Sequence, residues 1–134
     1  MTPEFRTLIQ SAADIAATCN GAFLGRIACI AIGGYDQVEV TLVQVPGHDT
    51  VLFELGRVRH LSIGNPNELE GSFVDGIELV HLGDDVTAWP AAARRIVRTF
   101  DGMPELAYFH LAGPVEITAV AAIVNVLCGL PRSG

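Results

Sequence analysis

Gln37-Val38-Glu39-Val40-Thr41-Leu42 alternates polar and apolar side chains without a break. In an extended chain successive side chains point to opposite faces, so Val38, Val40 and Leu42 line one face and Gln37, Glu39 and Thr41 the other. This is the pattern of a strand with one face buried and one in water. A glutamate between two apolar residues recurs in Phe53-Glu54-Leu55, Ile77-Glu78-Leu79 and Val115-Glu116-Ile117. All lie in β-prone stretches and together describe a half-buried sheet with an acidic outer side.

The flanking sequence extends this reading in both directions. Upstream, Phe23 to Ile32 is apolar and β-prone and is closed by Gly33-Gly34. Before it, Phe5, Leu8, Ile9, Ala12, Ile15, Ala16 and Cys19 recur at helical spacing. Thr2 is placed to cap that helix, Pro3 to open it and Asn20-Gly21 to stop it. Downstream, Pro46-Gly47-His48-Asp49 reads as the turn of a hairpin. Val51 to Ile63 loses its alternation at Gly56, and a bulge near Gly56-Arg57 would return Val58 to the core side. Gly64-Asn65-Pro66-Asn67 is a second turn, and Ser72 to Leu82 a further strand, kinked at Gly76.

The remainder is Trp89 to Arg98, a short helix with Pro90 early in its first turn, then a strand from Leu106 to Leu111. The segment 115–127 is rich in β-branched residues and reads as a strand, although Pro114 and Gly129 also resemble helix start and stop signals. Strands in series behind one leading helix indicate a single α+β domain over residues 1–134. The expected architecture is an N-terminal helix packed on a mainly antiparallel sheet of about five to seven strands. Its stripe Phe5-Leu8-Ile9-Ile15 would cover a face made by Val38, Val40, Leu42, Phe53, Leu55, Ile77 and Leu79.

Composition bounds the function. A chain of 134 residues forms a real core without disulfides or metals. Hydrophobic residues make up 50%, so either the core is dense or an apolar face meets another chain, which leaves a homo-oligomeric structural subunit as one reading. The net charge of −7, with arginine as the only strong base, disfavours nucleic acid and anionic membrane as partners and favours a basic protein. Three cysteines without a CxxC spacing fit a reducing compartment. No basic leader precedes an apolar run, and no run reaches the roughly 20 residues a spanning helix needs. The expected location is cytoplasmic.

Motifs that carry chemistry are sparse. His60, His81 and His110 lie in separate strand-like segments without the local company a zinc site needs, so no metal is expected. No GxSxG elbow, P-loop or dinucleotide fingerprint occurs, and no cofactor is expected. Asp84-Asp85 follows His81 closely and would bind a divalent cation weakly or serve with His81 in acid/base work, or else solvate a loop. Arg94, Arg95 and Arg98 form the only basic cluster, which would dock a phosphate or an acidic partner or else, as the favoured reading, is a solvated helix face balanced by Asp84, Asp85 and Asp101. If strands bring His60, His81, His110, Asp84 and Asp85 into one cleft, the chain is a small enzyme or ligand-binding domain. Otherwise the outward glutamates Glu39, Glu54, Glu78 and Glu116 are the interaction candidates.

The central region, Val51-Leu-Phe-Glu-Leu-Gly-Arg-Val-Arg-His-Leu-Ser-Ile63 with Gly71-Ser-Phe-Val-Asp-Gly-Ile-Glu-Leu-Val-His-Leu82, resembles small bacterial immunity proteins of polymorphic toxin systems. The resemblance covers about a quarter of the chain and consists of strand patterns. No catalytic residue carries over from it. It implies a non-enzymatic cytoplasmic protein that binds and blocks a toxin domain, and the acidic composition suits a basic one.

Overall fold

A computed structural model describes residues 3–32, 35–69, 72–83, 85–97 and 105–129. Helix α1 (Pro3–Ala16) leads into β1 (Phe23–Ile32), β2 (Tyr35–Val43), β3 (Thr50–Gly64) and β4 (Gly76–Leu82). A short helix α2 (Ala91–Ile96) precedes β5 (Leu106–Ala112) and β6 (Glu116–Cys128). The six strands form one sheet in the order β1-β2-β3-β6-β5-β4. Every neighbouring pair is antiparallel. The architecture is the α+β arrangement that the alternation indicates. The segment after Pro114 is a strand, in keeping with its β-branched content. No helix among the described residues is long and apolar enough to cross a membrane.

The sheet is rolled. Residues 72–74 do not extend β4, as the sequence pattern suggests, but pair with the start of β1 at Phe23 and Phe73. Leu24 N–H donates to the Ser72 carbonyl and Val74 N–H to the Ala22 carbonyl, each at 2.8 Å. Because β1 and β4 are the two edges of the sheet, these bonds draw one edge onto the approach to the other. The inner face of the roll carries Val38, Val40, Leu42, Phe53, Leu55, Phe109, Leu111 and Ile117, all buried. Phe53 and Phe109 meet with ring centroids 5.4 Å apart and planes at 54°. The intervening β6 presents Ala119 and Ala121 here, and their small side chains leave room for the rings.

Helix α1 packs against β4 and β6 on the inner side. Ile9, Ala12 and Ala16 are buried, and Phe5 and Ile15 half-buried. Leu8 is a correction to the expected stripe, being 53% exposed. The centre of the buried stripe runs through Phe5, Ile9, Ala12 and Ala16, and at 100° per residue Leu8 falls roughly 70° to one side. The helix also ends before Cys19: the Thr18 and Cys19 N–H groups donate to carbonyls three residues back, Ile15 and Ala16, at 3.0 and 3.1 Å, and the Thr18 hydroxyl and Cys19 thiol donate to the same Ile15 carbonyl, at 2.7 and 3.4 Å. Gly21, at φ +86°, then turns the chain into β1. Thr2, expected as the helix cap, lies outside the described residues.

In β3 the bulge falls where the lost alternation places it. Arg57 has φ +50°, and Val58 packs against the main core. The register then slips once more, between Val58 and His60. This second slip turns His60 and Ser62 to the outer face and Leu61 and Ile63 to the inner one.

A second, smaller core lies on the outer face. Trp89 and Ala93 pack on Leu82, Leu106, Tyr108 and Val120. The Trp89 indole N–H donates to the Gly83 carbonyl at 2.9 Å and anchors the loop before α2. One half of the outer face, at β4, β5 and β6, is thus partly covered.

Candidate functional site on the outer face of the sheet

Strand register places Glu39, Glu54, Glu78 and Glu116 all on the outer face. Val38 and Val40 are buried inward on either side of Glu39, Phe53 and Leu55 on either side of Glu54, and Leu79 and Ile117 beside the other two. The four do not form one continuous group. They fall into two pairs with different surroundings.

Glu39 and Glu54 are direct cross-strand partners. The flanking partners in the same row are Ala28 on β1 and Asn125 on β6, neither of them charged. Gln37 Nε2 donates to Glu39 at 3.2 Å, and no ion pair reaches either carboxylate among the described residues. Arg26, Arg57 and Arg59, the residues placed to interleave, do not stand between them. Ile30, Ile123 and Leu127 lie exposed on the same face.

Glu78 and Glu116 instead flank a histidine. Glu78 is the cross-strand partner of His110, whose Nε2 donates to Glu116 Oε2 at 3.0 Å. His110 also lies beside Tyr108, two residues back on the same face, with ring centroids 6.4 Å apart and planes at 13°.

Two of the three histidines expected in a cleft do share one. His60 and His110 line a depression of about 450 Å³ between α2 and the sheet. Its floor rests on two register rows: His60 and Tyr108 on either side of the buried Val120, then Ser62, Thr118 and His110. Ala92, Arg95 and Ile96 of α2 form the wall. His81 lies on the opposite, inner face. Its ring meets Phe5 edge-on at 5.8 Å, and its Nε2 pairs with Glu105 Oε1 at 2.9 Å. Parity decides this, since His81 falls in step with the buried Leu79 and out of step with Glu78. Asp85 is engaged locally, accepting the Thr87 N–H at 3.1 Å and the Thr87 hydroxyl. Asp84 lies outside the described residues, as do Arg98 and Asp101 of the expected charge balance. No three His, Cys, Asp or Glu side chains gather as a metal site among the described residues.

Tyr108, Ser62, Thr118 and Arg95 complete the cleft, and sequence reasoning had not grouped them with the histidines. The signal for Tyr108 is its spacing of two from His110 in a strand. Burial above all, then the negative charges of Glu78 and Glu116, push the Tyr108 phenol above its ordinary pKa, while Arg95 acts in the opposite sense. Comparison of the chain with protein-family models and with curated proteins finds no match.

Proposed function

We propose that this chain is a non-catalytic protein-binding module whose partner is a basic protein, docked on the outer face around Glu39 and Glu54. The direct opposition of the two carboxylates supports this reading. Like charges placed so destabilise the free fold by about 0.2–1 kcal/mol. A lysine or arginine from a partner would relieve that repulsion. The exposed Ile30, Ile123 and Leu127 beside them supply the apolar ground that interface cores use. The likeness of the central strands to immunity proteins favours a toxin domain as the partner and inhibition as the outcome.

The test uses the full chain as bait in extract of its own host, beside a Glu39→Gln/Glu54→Gln variant whose fold is checked by circular dichroism. A basic protein held by the parent, released by salt and lost from the folded variant supports the reading. Equal retention by both baits defeats it.

A further inference from the structure

The cleft beside α2 is chemically unlike the acidic sheet face. Arg95 brings a guanidinium that only donates, and it forms no ion pair among the described residues. The His60 ring and the Tyr108, Ser62 and Thr118 hydroxyls line the same space and likewise have no hydrogen-bond partner there. Tyr108 is only 4% exposed, so burial of its ring leaves the hydroxyl end to meet the cleft. Two carboxylates neighbour the cleft: Glu116 at its rim already accepts from His110, and Glu78 stands across β4–β5 from His110, beyond the residues that line the cleft. The cleft thus holds a donor-only cation together with hydroxyls and an imidazole that are each able to donate, in a protein whose net charge is −7. The volume of about 450 Å³ suits a small molecule, and Ala92 and Ile96 supply an apolar side.

We propose that this cleft binds a small organic oxyanion, a carboxylate or a phosphate ester. Its charged group lies between Arg95 and His60, and its body lies against α2. Arg95 supplies the charge-assisted hydrogen bonds, and the Ser62 and Thr118 hydroxyls, adjacent on neighbouring strands, orient the remaining oxygens. This site is separate from the surface around Glu39 and Glu54, and either can fail without the other.

The experiment titrates inorganic phosphate and, separately, acetate into the protein while following the histidine ring protons by NMR. His81, on the inner face, is the internal control. Saturable shifts of His60 and His110 with His81 unmoved are expected, weakened roughly tenfold or more in Arg95→Gln. Arg94→Gln, on the same helix but outside the cleft, should bind as the parent does. A response to phosphate alone assigns a phosphate ester, and a response to acetate assigns a carboxylate. No saturable shift with either anion, or shifts that persist undiminished in Arg95→Gln, would overturn the proposal.

Discussion

Glu39 on β2 and Glu54 on β3 stand directly opposite one another on the outer face, and no ion pair reaches either among the described residues. Neutralising one should therefore stabilise the isolated protein. Glu54→Gln is expected to raise unfolding free energy by about 0.2–1 kcal/mol, read from urea denaturation. Screening already weakens the repulsion at high salt, so the gain should shrink there. A loss of stability at low salt would show that the carboxylates do not repel in the fold.

The closure of the roll has a steric weak point at Gly113. A Cβ built there would lie 2.3 Å from the carbonyl oxygen of Phe73, within the segment that pairs with β1. Backbone cannot step aside as a flexible side chain can. Gly113→Ala should cost about 1–3 kcal/mol, and amide exchange should quicken at Leu24 and Val74. A variant as stable as the parent would mean that this contact is not tight in solution.

The cysteines should divide by reactivity. Cys29 and Cys128 are exposed, whereas Cys19 is buried under α1. Burial pushes the Cys19 thiol up from its ordinary pKa, against a smaller opposing effect of its hydrogen bond with Thr18. A thiol reagent should titrate two of the three groups quickly in the native protein and the third only on unfolding. Three equal rates would contradict the packing of α1.

Alkaline pH should loosen the fold through Tyr108. Its raised pKa means that the folded state holds the phenolic proton more tightly than the unfolded chain. The stabilisation is whole below the unfolded value of about 10 and is lost as pH rises through the higher folded value. Denaturation midpoints should fall more steeply above that pH in the parent than in Tyr108→Phe. Parallel profiles would remove Tyr108 from this role.

The strands were legible because alternation is a local property of the chain. Val38, Val40, Leu42, Phe53 and Leu55 announce their buried face without knowledge of any partner. The bulge at Arg57 was visible for the same reason, as a break in parity followed by an apolar residue. The register slip after Val58 was not, since it depends on how β3 meets β6, and it is this slip that turns His60 outward. Parity within β4 separates His81 from Glu78, but only the inner position of α1 shows that His81 is enclosed. The pairing of residues 72–74 with β1 leaves no periodic trace at all. It is satisfied by backbone groups, which every residue carries alike.

Strand β6 lies between β3 and β5 yet follows all its neighbours in the chain. During synthesis the β2–β3 hairpin therefore emerges with one edge of β3 open, and the β4–β5 pair has no strand to join it to β3. A ribosome must deliver the far end of β6 before Val51 can meet Cys128. The long interval with an unpaired apolar edge makes nascent chains the vulnerable population, and chaperone dependence should exceed what the finished roll would suggest.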